Sequence, residues 1–198
     1  MTDVLRNIQL RISTGDEHAL AELYKQFHVT LLHFAKSILR SSENAEEAVE
    51  DVFVSVWRNK ANIAEVENLR VYLYVATKNR CLRILSQKTK ELITAPFDYL
   101  DIQIDEHSNP HTLMVTEEMF GRMKKAVDTL PPKCKMIFKL VREDGLKYKD
   151  VAEILSISVN TIDAQMAIAV KRICAAMQIE KPGAKSSFKL SEEKIKKS

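Results

Sequence analysis

The sequence predicts an all-α chain: two helical domains joined by a flexible acidic linker, the second domain containing a helix-turn-helix. Three observations lead there. Four glycines and five prolines in 198 residues are too few for a turn-rich β fold. Apolar residues recur at steps of three and four through several long stretches, the period of a buried helical face. Charge is segregated along the chain. Residues 1–90 carry 13 bases and 11 acids, and residues 91–116 carry five acids (Glu91, Asp98, Asp101, Asp105, Glu106) with no Lys or Arg. Residues 117–178 carry 11 bases and 8 acids, and residues 179–198 six lysines against three glutamates. An acidic strip between mildly basic blocks sets the boundaries: a first domain over 1–90, a linker over 91–116, a second domain over 117–178 and a basic flexible tail over 179–198.

Composition narrows the function. Hydrophobic content of 45% suits a globular chain, and no apolar run reaches the ~20 residues of a membrane span. The opening MTDVLRNIQLRIS is amphipathic and carries Asp3, which makes a poor signal peptide. Cys81, Cys134 and Cys174 are odd in number and far apart, the pattern of a reducing cytosol rather than of disulfides or a metal framework. The expected location is therefore cytoplasmic, with no cofactor and no metal.

In the first block, Thr14-Gly15-Asp16-Glu17 has the form of a capping box with Thr14 as cap. Leu20, Leu23, Tyr24, Phe27, Leu31, Phe34, Ala35 and Ile38 then predict a helix over about 16–39, with a bend near His28 allowed. Residues 45–59 give the clearest helix: Ala45, Ala48, Val49, Val52, Phe53, Val56 and Trp57 form one stripe. Its other face carries Glu46, Glu47, Glu50 and Asp51 with no base among them. Such a face is either simply solvated or a docking surface for a basic partner. A carboxylate metal site would want a Glu-x-x-His partner helix, which is missing.

Asn68 caps a third predicted helix, Leu69–Leu85, and from Arg70 to Lys90 there are six bases and no acid. Tyr72 and Tyr74 beside Lys78, Asn79, Arg80 and Arg83 suit unstacked bases and a phosphate backbone. The alternative is that Tyr72 is core and the bases solvate a surface. The linker could lie in a basic channel or be a plain solvated spacer.

In the second block a helix over 117–129 ends at Leu130-Pro131-Pro132, whose prolines suit the first turn of the next helix. Ile137, Phe138 and Val141 supply that helix's core face, and Asp144-Gly145 turns the chain. Tyr148–Arg172 then reads as a helix, a tight turn and a longer helix. Val151, Ala152, Leu155, Ile162, Met166, Ala169 and Ile173 share one face, and Ser158 caps the second helix. Two helices sharing a core across a short turn form the unit that sets its second helix into the DNA major groove. A helical hairpin that binds no nucleic acid shares that pattern.

As a set these residues resemble the bacterial RNA polymerase sigma factors, specifically the extracytoplasmic-function (ECF) group of the sigma-70 family. The resemblance covers about residues 5–178. Residues 44–53 (NAEEAVEDVF) with Trp57 are similar to the family's most recognisable segment. The resemblance implies that Glu46, Glu47, Glu50, Asp51, Phe53 and Trp57 dock on the clamp helices of the core polymerase. Tyr72-Leu73-Tyr74 and Asn79 resemble the helix that opens and reads the −10 promoter element. It implies −10 contacts from Lys60, Asn62, Asn68, Tyr72, Tyr74, Lys78, Asn79, Arg80 and Arg83, with a flipped base held near the loop Asn59–Asn68. Gly145-Leu146, Tyr148, residues 151–155 (VAEIL) and Ile157-Ser158-Val159 resemble the domain that reads the −35 element. Ser158, Asn160, Thr161, Asp163, Ala164, Gln165, Lys171 and Arg172 are its implied contacts.

The chain also departs from the family pattern. Asp163, Ala164 and Gln165 follow Thr161-Ile162 where Lys or Arg and Ser are usual, so the −35 sequence read should differ. Asp163 would accept from a cytosine amine, and Gln165 could pair with adenine. Lys147 stands where a Ser cap is common. The resemblance implies core RNA polymerase and promoter DNA as partners, an acidic linker threading the polymerase channel, and an anti-sigma protein of the kind frequently bound to a membrane. The rival readings are a free-standing helix-turn-helix transcriptional regulator, and a metal enzyme built on residues 46–51 with His28 or His33.

Overall fold

The structure is a computed structural model that describes residues 2–89 and 117–177. Both the acidic strip over 91–116 and the basic tail over 179–198 lie outside the described residues. Every regular element among those described is helical: α1 Thr2–Ser13, α2 Glu17–Ile38, α3 Ser42–Arg58, α4 Lys60–Ile63, α5 Leu69–Thr89, α6 Glu117–Asp128, α7 Pro132–Arg142, α8 Tyr148–Leu155 and α9 Val159–Ala176.

Helix α2 runs unbroken past His28 because Leu23, Phe27, Leu31, Phe34 and Ile38 keep one buried face along its length. That face meets α3, whose Ala45, Ala48, Val49, Val52, Phe53 and Val56 are all buried. The small alanines let the two helices approach closely, and each large side chain so buried contributes about 1.5–3 kcal/mol. Helix α5 completes this first unit through Leu73, Cys81 and Ile84. The N-terminal stretch forms α1, which seats Ile8 and Ile12 in the same core.

The first cap differs from the expected one. Asp16, not Thr14, caps α2, accepting from the backbone N–H of His18 at 2.9 Å and of Ala19 at 3.3 Å. Gly15 at φ 91° makes the tight turn out of α1 and carries the chain past Thr14 before helical geometry resumes. Thr14 instead donates back to the carbonyl of Arg11 at 2.8 Å. The caps expected at Asn68 and Ser158 form where the sequence places them, and Ser41 adds one at the start of α3. Ser41 and Ser158 each accept from the N–H three residues on, at 3.2 and 3.1 Å. Asn68 Oδ1 accepts from Val71 N–H at 3.2 Å. Pro132 occupies the first turn of α7, and Lys147 gives α8 no side-chain cap.

In the second unit α6, α7 and α8 pack around α9, with Ile137, Leu140, Val151, Ile154, Ile162 and Met166 buried. Gly145, at φ 63°, terminates α7 and lets Leu146 N–H return to the carbonyl of Leu140. Ser156, at φ 56°, turns the chain between α8 and α9. A non-glycine residue in that conformation costs about 1 kcal/mol, offset here by the shared core of the two helices.

The two units are not merely tethered. Helix α5 packs on α8, and one apolar cluster runs continuously from Ile8 in α1 to Met166 in α9. Arg70, Tyr74 and Lys78, spaced by four along α5, form a second face that meets the α7–α8 turn and α8. A stripe of basic and aromatic residues gives no sign in sequence of being an interior face, so the expectation of two loosely joined domains did not include it.

Candidate polymerase and promoter interfaces

The acidic row lies on the face of α3 opposite its buried stripe. Glu46, Glu47 and Glu50 are exposed and Asp51 is partly so. One base does reach them, from α5: Arg80 pairs with Asp51 and lies 3.5 Å from Glu47. At the end of the row, Phe53 is buried and Trp57 half-buried, so Phe53 serves the core first. Tyr24 stacks on His28 at 4.5 Å between centroids and leans on Phe53 at 4.9 Å. Lys60 sits over the Trp57 ring at 4.1 Å, a cation–π contact that ties α4 to the end of α3. Asp51, Arg58, Asn79, Arg80 and Arg83 line an open groove of about 550 Å³ between α3 and α5.

The residues assigned to the −10 element divide. Asn62, Asn68, Asn79 and Arg83 are exposed, while Lys60, Tyr72 and Arg80 are half-buried. Tyr74 and Lys78 are not at the surface: Tyr74 is 0% exposed and Lys78 7%. Reading both as exposed is therefore corrected. Tyr74 leans on Phe34 at 5.1 Å and donates its hydroxyl hydrogen to Asp144 Oδ2 at 2.8 Å. Arg70 donates to the backbone carbonyl of Asp144, and Lys78 Nζ donates to Ser156 Oγ at 3.2 Å. At the rim, Asn68 Nδ2 reaches Asp150 Oδ1 at 3.5 Å. Burial pushes the Lys78 ammonium below its ordinary pKa and, with the Asp144 charge, holds the Tyr74 phenol well above its own. It also raises the Asp144 carboxyl to about 6, against the opposing pull of Tyr74, Lys139 and Arg70. Sequence reasoning missed Asp144, Arg70 and Ser156 as contact residues. No local signal could have paired positions some seventy residues apart.

The residues assigned to the −35 element come together on the free side of α9. Ser158, Asn160, Asp163, Ala164, Lys171 and Arg172 are exposed, and Thr161 and Gln165 half-exposed. Ser158 and Thr161 hydroxyls are 2.8 Å apart, closing the first turn. Arg172 reaches back to the Thr129 carbonyl at 3.3 Å, and Cys134 Sγ lies 3.2 Å from the Gln165 carbonyl, so α6 and α7 hold the far part of α9. Val159, Ile168 and Val170 add exposed apolar surface around the polar residues. The face can offer donors and acceptors to base edges near its N-terminus, and cations to phosphates only at its C-terminal end.

One helical chain thus carries an exposed acidic row on α3, a basic and aromatic helix α5 and a helix-turn-helix with the outer face of α9 exposed, the arrangement of a DNA-binding protein with a second charged surface. The comparisons give its family. Residues 23–91 match Sigma-70 region 2, and residues 120–173 match Sigma-70, region 4. The ECF RNA polymerase sigma-E factor of Escherichia coli (strain K12) is 21% identical over 163 residues, 79% of this chain and 85% of the relative. ECF RNA polymerase sigma factor SigE of Mycolicibacterium smegmatis is 23% identical over 158 residues, 78% of this chain and 61% of the relative. Among solved structures, CnrH in complex with the cytosolic domain of CnrY shares the fold at a TM-score of 0.55 and 16% identity, covering 87% of this chain and 96% of CnrH. The sigma factor RpoE in complex with the anti-sigma factor NepR from Bartonella quintana does so at 0.54 and 18%, covering 81% and 99%. The chain belongs to the sigma-70 family of RNA polymerase sigma factors, in the ECF group, and directs transcription initiation. Among the described residues no helix is long and apolar enough to cross a membrane.

Proposed function

We propose that this sigma factor binds core polymerase through the α3 row, opens the −10 element with α5 and the loop before it, and reads the −35 element with α9. In this reading residues 1–90 and 117–178 are the two working domains, and residues 91–116 join them. The chain performs no chemistry itself; the polymerase does. The observation that carries the reading is the coexistence of the exposed acids Glu46, Glu47 and Glu50, with partly exposed Asp51 paired to Arg80 at their end, and an unobstructed recognition face on α9. Fields of opposite sign steer association with a basic surface, and exposed side chains at a helix N-terminus suit the major groove.

Promoter engagement through Tyr74 and Lys78 requires α8 to leave α5, because both side chains are covered by the second unit. Binding to polymerase is the step that would separate them. Promoter affinity of the free chain is accordingly low. Melting the −10 element costs a few kcal/mol per unstacked step, offset by capture of extruded bases. Regulation by an anti-sigma partner fits the exposed surfaces of both units, and we place the protein in the cytoplasm.

Run-off transcription with purified core polymerase on a library of promoter fragments tests this. Specific starts that depend on the chain, sharing one −10 and one −35 sequence, are expected. Binding to duplex sites by the chain alone, with no polymerase-dependent starts, would instead make it a free-standing regulator.

A further inference from the structure

The loop between α4 and α5 is held from outside by α1, a helix that precedes the matched residues 23–91. Gln9 is the key contact. Its side chain is 3% exposed, and its amide nitrogen donates to the carbonyl of Ile63 at 2.5 Å and of Val66 at 2.6 Å. Both amide hydrogens are thereby used. Arg6 adds a third bond, from Nη1 to the Ala64 carbonyl at 2.6 Å. Three carbonyls within four residues, at the end of a one-turn helix, are thus held by one neighbouring helix, that of Ile63 accepting from Val66 N–H at 3.2 Å as well. Ile8 and Ile12 lock α1 in the core, so these donors sit on a rigid support. The Ile63 side chain, 2% exposed, is itself part of the core.

We infer that Gln9, assisted by Arg6, is a positioning residue that sets the backbone of residues 63–66 and so the shape of the pocket that receives a flipped −10 base. The inference rests on the proposed role of the loop Asn59–Asn68. It reaches beyond that role, because α1 makes none of the contacts assigned to DNA or polymerase. Gln9 touches no base in this account; it selects one by holding the loop. A carbonyl-rich loop released from its donors would sample other conformations and fit several bases equally well.

The test uses the full chain with core polymerase and compares wild type with Gln9→Leu, which keeps the side-chain size and removes both donors. Run-off yields are measured on templates carrying each of the four bases at every −10 position. The expected result is that Gln9→Leu flattens base preference at one position by about tenfold, the scale of one lost base-recognition contact, with polymerase affinity and −35 preference unchanged. A purely structural role would lower stability and total activity while leaving the base preferences as they were, and that pattern overturns the inference. Should Gln9→Leu fail to fold, Arg6→Ala, which removes only the exposed Ala64 bond, is expected to flatten the same position by a smaller factor. Unchanged preferences in that variant overturn the inference equally. The wild-type profile separates the two readings: specific initiation with no flipped-base preference refutes the loop's proposed role, whereas a preference that survives Gln9→Leu refutes only the positioning by α1.

Discussion

Asp144→Asn isolates the contact between the two units. In the folded chain burial raises the Asp144 carboxyl to about 6, from 3.8 in an unperturbed chain. The groups facing it are Tyr74 and Arg70 on α5 and Lys139 on α7, and each favours the charged form less than burial opposes it. A raised folded pKa means that the native state holds the proton more tightly. The contribution to stability is therefore fully present below pH 3.8 and is lost as pH rises through about 6. At 1.36 kcal/mol per pH unit the whole effect is about 3 kcal/mol, of which about 1.4 kcal/mol falls between pH 7 and pH 5. Asparagine does not titrate and resembles the protonated acid. Urea denaturation of both proteins at the two pH values gives the stability difference, wild type minus variant, and the other titrating groups cancel in it. That difference should shift in favour of wild type by about 1–1.5 kcal/mol on going from pH 7 to pH 5. A pH-independent difference would refute the burial argument. A shift in the opposite direction would show that Tyr74, Lys139 and Arg70 together hold the carboxylate ionised.

Three further predictions concern the fold and the pairing on α3. Leu31→Ala, at a fully buried position between α2 and its neighbours, should cost about 2–5 kcal/mol in urea melts, because the close-packed site cannot collapse onto the cavity. Ser158→Ala removes the acceptor that caps α9 and should cost about 1 kcal/mol, seen as lower urea resistance; an unchanged midpoint would mean the bond to Thr161 is replaced by water. Arg80→Ala breaks a partly exposed pair with Asp51 and Glu47 and should cost less than about 1 kcal/mol by the same method. A larger loss would identify Arg80 as a structural residue rather than one available to DNA.

Much of this architecture is written locally. The apolar stripe from Ala45 to Trp57, the cap at Asn68, the proline at the start of α7 and the cap at Ser158 each depend on residues within one or two turns, and each appears where the sequence places it. Thr14 and Asp16 illustrate the limit of local reading: both can cap a helix, and the turn at Gly15 decided between them. What sequence hides is long-range pairing. Arg80 lies opposite Asp51 because α5 packs on α3. Tyr74 meets Asp144 because α5 also packs on the second unit, and Gln9 meets Ile63 because α1 packs on α4. Tyr74 and Lys78 look like solvent-facing residues by type, yet hydrogen bonds to Asp144 and Ser156 satisfy their polar ends inside the interface. The acidic row was legible as a face, but sequence alone does not distinguish a solvated face from a docking surface.

The affinity of the chain for core RNA polymerase with the row reversed tests docking through α3 most directly. Glu47→Lys with Asp51→Lys also repels Arg80, so the pair is measured in both the wild-type and the Arg80→Ala backgrounds. Glu17→Lys with Glu153→Lys, two exposed acids on α2 and α8 outside the row, serves as the charge-matched control. Binding at least about tenfold weaker than that of the control is expected in both backgrounds, with the gap narrowing as salt is raised, since close charge pairs in an interface are worth several kcal/mol and exposed ones are screened. Unchanged affinity, with initiation intact, would contradict it and return the α3 row to an ordinary solvated helix face.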